Sequence, residues 1–222
     1  MEKDDDGMIT DFPLISAGTR FDAVVLANGE FPVHPVPLGI LRGAGHVVCC
    51  DGAVMNLPFT PTAVIGDGDS LSAEDKLRLK GLFHQVSEQE DNDLTKATRF
   101  CLGRGWRRLA YLGATGKRED HTLGNISLLV RYMREMDVLP AMITDYGYFT
   151  PAKGRQLFQS FPGQQVSIFN YGCRTLSSEG LRWESYPYQM AWQGTLNEST
   201  GDSFTLTGDG DYLVFRTFEA KT

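Results

Sequence analysis

The sequence predicts an α/β protein, with an N-terminal, mainly parallel sheet carrying helices on both faces and an antiparallel β-rich region after it. Two observations lead there. Between Asp22 and Thr144, short apolar runs alternate with helical stripes, as strand–helix–strand units require. After about Tyr146 the helical periodicity fades, and short β-like runs punctuated by Gly and Pro take over.

The elements follow in order. The start of the chain is polar and carries Asp4-Asp5-Asp6, so residues 1–19 are expected to be a flexible arm. Ala23 to Ala27 is a short apolar run, read as a buried strand. His46 to Cys50, Ala63 to Ile65, the weaker Leu82 to Val86, Leu109 to Leu112 and Ala141 to Thr144 continue the series. Ser72-Ala73-Glu74-Asp75 has the hydroxyl and acids of a helix start. Asp93 can cap a helix that puts Leu94, Ala97 and Cys101 on one face and ends near Gly103. Leu123, Ile126, Leu129, Val130 and Met133 form a third stripe, ending near Asp137. Further on, Leu157-Phe158, Val166 to Phe169, Phe204 to Thr207 and Tyr212 to Phe215 read as separate short strands of a sandwich or barrel. The expected domains are a Rossmann-like unit over 20–146 and a β unit over 147–222.

Composition narrows the function classes. Hydrophobic residues make up 41% of the 222, enough for a core. The formal net charge of −7 disfavours a nucleic-acid partner, which would call for surplus Lys and Arg. No apolar run approaches the length of a membrane helix. The acidic start does not resemble a signal peptide. Cys49, Cys50, Cys101 and Cys173 show no C-x-x-C pair and read as reduced, buried thiols. A soluble cytoplasmic protein is expected. No zinc spacing, nucleophile elbow, dinucleotide loop or P-loop is present.

The chemistry is positional. In a parallel sheet, ligands bind beyond the carboxyl ends of the strands, and here polar or Gly-rich segments follow strand after strand. They are Asn28-Gly29, Asp51-Gly52, Gly66-Asp67-Gly68-Asp69-Ser70, Glu90-Asp91-Asn92-Asp93 and Gly113 to His121. Asp67 and Asp69, joined by Asp51 or Asp93, would repel one another by about 4 kcal/mol per pair at ~4 Å and an effective dielectric of ~20. A cation relieves that, and oxygen-only donors suit Mg²⁺. Taken alone, Gly66 to Ser70 could be a solvated turn and helix cap. The segment Gly113, Ala114, Thr115, Gly116, Lys117, Arg118 can cradle phosphate with backbone N–H groups and two cations. Asp120 and His121 follow it, and Asn125 lies one helical turn beyond His121. Trp183 and Trp192 read as core residues or as ring platforms.

These motifs, in this order, resemble those of thiamine pyrophosphokinases: Asp51-Gly52-Ala53, Gly66 to Ser70, Glu90 to Lys96, Gly113 to Asn125, Gly180-Leu181-Arg182-Trp183 and Thr195-Leu196-Asn197-Glu198. The resemblance covers roughly Asp22 to Phe215. It implies an α/β catalytic domain followed by an antiparallel β-sandwich, in a homodimer with active sites at the subunit interface. It also implies pyrophosphate transfer from the co-substrate ATP to the hydroxyl of thiamine, with Mg²⁺ as cofactor. By motif match, Asp67, Asp69 and Asp93 take the metal role. Asp51, Gly113, Arg118, Asp120, His121 and Asn125 match the nucleotide and phosphate side, where Asn28, Thr115, Gly116 and Lys117 are read with them from their loops, and Asn197 matches the thiamine side, with Leu196 beside it and Trp183 or Trp192 stacking on an aromatic ring. Arg118 would stabilise the transferring group, and Asp93 or Asp120 would accept the hydroxyl proton. Three departures stand out: Gly68 replaces a bulky residue, Glu90 and Asn92 replace an Asp and a Thr, and Leu196 replaces a Ser. A pterin-alcohol pyrophosphokinase, a Mg²⁺-dependent phosphohydrolase and a non-catalytic nucleotide- or thiamine-binding module are the competing readings.

Overall fold

A computed structural model describes residues 10–88 and 90–220. The elements in chain order are β1 (Thr10–Phe12), β2 (Ala23–Leu26), α1 (Pro35–Arg42), β3 (Val47–Cys50), β4 (Ala63–Gly66), α2 (Ala73–Arg78), β5 (Phe83–Gln85), α3 (Asp93–Gly103), β6 (Arg108–Leu112), α4 (Glu119–Met136) and β7 (Leu139–Ile143). After these come β8 (Gly147–Gln159), β9 (Gln164–Tyr171), β10 (Leu176–Glu179), β11 (Asn197–Glu198) and β12 (Ser203–Ala220). The described residues form two compact units, one from Ser16 to Asp145 and one that joins residues 10–15 to residues 146–220. Taken over the whole chain the strand pairing is mixed: parallel in one unit, almost wholly antiparallel in the other.

In the first of these units the strand order is β7-β6-β2-β3-β4-β5, with every pair parallel. Every residue of β2, β3 and β4 is buried, which is why these strands read as continuous apolar runs rather than alternating ones. The helix ends obey local chemistry. Ser72 caps α2 by accepting from the Asp75 N–H at 3.0 Å. Asn92, not Asp93, caps α3, its Oδ1 accepting from the Thr95 N–H at 3.0 Å. Asp93 is thereby the first helical residue, and its carboxylate is left free of capping. α1 gave little signal in the sequence because two of its first three residues are proline, which suit a helix start but not a helical stripe.

The other unit pairs antiparallel in the order β11-β9-β12-β8, with β10 also on β12. Its core gathers Phe158, Val166, Ile168, Phe204, Leu206, Tyr212 and Val214. Two expectations change here. The runs 204–207 and 212–215 are one strand, β12, which continues through Gly208-Asp209-Gly210 with a register shift between Thr207 and Asp211. The glycines mark a bulge, not a turn. The expected arm, residues 1–19, is also structured in its described part. β1 pairs parallel with β8, and Phe12 stacks on Phe158 with ring centroids 4.7 Å apart. Arg216, 1% exposed, donates to the carbonyls of Phe12 at 3.0 Å, Gln159 at 2.6 Å and Pro13 at 3.2 Å. Its guanidinium lies over the Tyr148 and Phe158 rings, and its Nε has no partner.

Candidate active site

The chain order creates the site. From β2 the path runs outward through β3, β4 and β5, then returns to β6 on the other flank of β2 and continues to β7. The loops after β2 and β6 therefore part in opposite directions, and a crevice opens at that switch point. Before parting they stay paired: Gly29 N–H donates to Gly113 O at 2.6 Å and Glu30 N–H to Thr115 O at 2.8 Å. A Cβ on Gly29 would lie 2.4 Å from both the Gly113 and Thr115 oxygens, so only glycine permits this approach. The resulting cavity, about 420 Å³, is lined by Asn28, Asp51, Asp93, Thr115, Lys117, Arg118, His121 and Asn125 among others. Eight residues singled out from sequence thus meet in one place. Gly113, Gly116, Asp67, Asp69 and Asp120 lie outside that lining.

The acidic wall is tightly built. Asp51 opens a 3₁₀ turn after β3 with φ +37°, an uncommon conformation for a residue with a side chain. It is buried, and Gly66 packs so closely that a Cβ there would sit 2.8 Å from Asp51 Cβ. Asp51 Oδ2 accepts from the Ser70 N–H at 3.0 Å, while Oδ1 has no partner. Asp67 Oδ1 accepts from the Asp69 N–H at 3.0 Å, and the Asp69 side chain is exposed. Between them Gly68 has φ +84°, and a Cβ would meet Lys76 and the Phe83 ring at 2.9 Å. That conformation accounts for the first departure. Burial raises the Asp93 carboxyl above its ordinary range; the charges of Asp67 and Asp51 push the same way, and Lys96 opposes them. Lys96 Nζ lies 3.4 Å from Asp93 Oδ1. Among the described residues, no group of three or more His, Cys, Asp or Glu side chains is gathered closely enough to hold a metal unaided. Asp67, Asp69 and Asp93 do not form a closed cage.

The opposite wall carries cations and amides. Lys117 Nζ donates to Asn28 O at 2.9 Å, joining the two loops at the lip. Arg118 pairs bidentately with Asp120, at 3.1 Å through Nε and 2.6 Å through Nη2. That guanidinium lowers the Asp120 carboxyl below its ordinary range, helped by the His121 N–H. Asn125 Nδ2 donates to Ala114 O at 2.8 Å, and its Oδ1 accepts from Asn92 Nδ2 at 3.1 Å. Asn92 therefore both caps α3 and ties it to α4 and the 113–118 loop. Asn92 and Lys96 were not among the sequence candidates. Asn92 could have been found as the polar residue preceding the helix, whereas Lys96, which lies off the stripe of Leu94, Ala97 and Cys101, gave no signal.

In the antiparallel unit, Trp183 is 54% exposed and Trp192 71%, so neither is a core residue. Arg182 lies over the Trp183 ring, 5.2 Å from its centroid. Asn197 is buried and paired with Val166. Its Nδ2 donates to Trp183 O at 2.7 Å, and its Oδ1 accepts from the Trp183 N–H at 3.2 Å and the Glu198 N–H at 2.8 Å. It positions Trp183 rather than offering its amide outward. Leu196 is exposed with φ +64°.

Comparison with known proteins gives a consistent result. The family model described as thiamin pyrophosphokinase, catalytic domain, matches residues 40–139. The model for the thiamin pyrophosphokinase substrate-binding domain matches residues 147–215. A rice protein named thiamine pyrophosphokinase 1 is 26% identical over 178 residues, covering 72% of this chain and 67% of its own length. A Bacillus subtilis thiamine pyrophosphokinase is 27% identical over 121 residues, covering 53% of each chain. Among solved structures, the yeast thiamin pyrophosphokinase superposes with a TM-score of 0.73 at 16% identity, covering 98% of this chain and 93% of its own. The Candida albicans enzyme gives 0.71 at 16% identity, covering 95% and 93%. At such identities the structural likeness concerns the fold.

Proposed function

The chain belongs to the thiamin pyrophosphokinase family, and from that premise we propose that it transfers pyrophosphate from ATP to the hydroxyl of thiamine, releasing thiamine diphosphate and AMP. One observation carries the reading to this chain's own residues. The switch-point cavity joins a glycine-built, cation-edged loop to a carboxylate wall, and a phosphorylated nucleotide with a divalent cation needs both.

The ATP phosphates lie along Thr115, Lys117 and Arg118, with backbone N–H groups of the 113–116 loop facing them. Mg²⁺ fits the acidic wall on two counts. The buried Asp51 Oδ1 lacks a partner, and the charges of Asp67 and Asp51 act on Asp93. Asp67 and Asp93 would hold it, with Asp51 behind them and Asp69 reaching in from the rim. Mg²⁺ keeps waters and substrate phosphates among its ligands and so does not require a complete protein cage. When bound, it supplies neutralisation of the charge on the phosphates.

In the reaction the thiamine oxygen forms a bond to the β-phosphorus, and the bond from that phosphorus to the oxygen bridging the α-phosphate breaks, with AMP leaving. Arg118 exchanges its exposed partner Asp120 for the transferring group. Either Asp93, which lines the cavity, or Asp120, which that exchange frees from Arg118, accepts the hydroxyl proton. The thiamine ring rests on the exposed Trp192 and Trp183, beside Leu196 and with Trp183 held by Asn197. The antiparallel unit is read as a β-sandwich and the protein as a homodimer with active sites at the subunit interface. Four free, buried cysteines support a cytoplasmic location. No helix among the described residues is long and apolar enough to cross a membrane.

The test is AMP formation from ATP and Mg²⁺ with and without thiamine, following product mass. Thiamine-dependent AMP with thiamine diphosphate is expected. A folded protein giving none would overturn the reading and make a pterin alcohol the next substrate to try.

A further inference from the structure

Lys96 sits where an apolar residue would be the simpler choice. It is buried near the start of α3, where Leu94, Thr95, Ala97 and Thr98 are buried as well, and its side chain is only 3% exposed. Among the described residues its hydrogen-bonding partner is Asp93, one helical turn earlier, at 3.4 Å. The Asp93 side chain is 36% exposed and opens on the cavity. Removing an ammonium from water carries a penalty that a single long contact repays poorly, and an apolar residue of similar volume often serves stability as well or better. The charge therefore answers something other than packing. What lies beside it is an anionic wall with an unfilled acceptor, the buried Asp51 Oδ1.

We propose that Lys96 is a resident counter-ion that steadies Asp93 before substrate arrives and keeps the carboxylate wall from capturing a divalent cation by itself, so that the cation is loaded together with the nucleotide. The proposal rests on the ATP–metal reading above and deepens it. A fixed positive charge beside Asp93 weakens the field a free divalent ion would meet. A nucleotide-bound ion brings its own phosphate oxygens and needs fewer protein ligands, so it is admitted where the bare ion is held weakly. Lys96 is a positioning residue in this scheme, acting through Asp93.

Mn²⁺ binding to the full-length, nucleotide-free protein, followed by electron paramagnetic resonance, separates this role from a purely structural one. The expected result is weak binding by the wild type, binding of free Mn²⁺ at least about tenfold tighter in Lys96→Met, and wild-type-like weakness in Lys96→Arg, which keeps the charge. A structural defect would loosen the wall and weaken binding instead. Folded Lys96→Met with equal or weaker Mn²⁺ affinity overturns the proposal. Lys96→Gln carries the same test if the Met variant does not fold, and failure of both to fold would assign Lys96 to structure alone. If wild type makes no thiamine-dependent AMP yet the Mn²⁺ difference persists, the substrate reading fails and the counter-ion role stands. The reverse pattern removes only the counter-ion role.

Discussion

The two units solve the problem of placing functional groups in opposite ways. In residues 16–145, parallel strands, buried throughout in β2, β3 and β4, deliver their loops to one end of the sheet, so the segments after β2, β3, β4, β5 and β6 all contribute to a common crevice. In the antiparallel unit, side chains on β12 alternate between buried and more exposed from Ser203 to Gly208. The groups of interest there lie on the excursion between β10 and β12. The first arrangement makes a site out of connectivity. The second displays exposed aromatics, of which Trp183 is held by the buried amide of Asn197. The lesson is that the parallel unit should tolerate little change at its strand ends, while the antiparallel unit should separate stability from ligand preference.

That contrast can be broken at several points. The largest effect is expected from Asp93→Asn: turnover should fall about a thousandfold with the circular dichroism unchanged. Asp69→Asn, compared in the same assay, sharpens the assignment: an equal loss would draw the exposed aspartate into the acidic set, and retained turnover would confine the set to Asp51, Asp67 and Asp93. Next, Phe158→Ala should cost about 3 kcal/mol or more in chemical denaturation, because the ring is fully buried between Phe12 and Phe204. Its KM for ATP should stay unchanged if the two units behave as separately as the comparison suggests. A smaller effect is expected from Trp192→Ala, which should raise KM for thiamine roughly tenfold and leave KM for ATP alone; equal changes in both would undo the division of labour. The smallest is Leu196→Gly. It relieves a left-handed conformation costing about 1 kcal/mol for a side-chained residue, and urea denaturation should show a gain of that order.

The legibility of the sequence follows the same divide. Strand positions and most of the crevice could be read beforehand because a parallel sheet converts sequence order into spatial order. β2, β3, β4 and β6 lie within a residue or two of the apolar runs that announced them. What sequence could not supply were contacts decided by side-chain geometry. Asn92 takes the cap that Asp93 was expected to provide, Asp120 is held by Arg118, and Lys96 is buried beside Asp93. In the antiparallel unit the misreading was larger, since Gly208 and Gly210 mark a turn or a bulge equally well until the partner strands are known. Asn197 was expected to point at a ligand and instead bonds the Trp183 backbone, a pairing across fourteen residues that no local pattern announces.

The clamp that Arg216 makes on the carbonyls of Phe12 and Pro13 gives the first strand the character of a plug. A version of this protein trimmed to begin after Pro13 would lose those two acceptors and the Phe12 ring together. A permanently charged guanidinium would then face an oily interior with only Gln159 O left to receive it. Anyone shortening the amino terminus past Pro13 for expression should expect the damage to surface far along the chain, as a loosened β12.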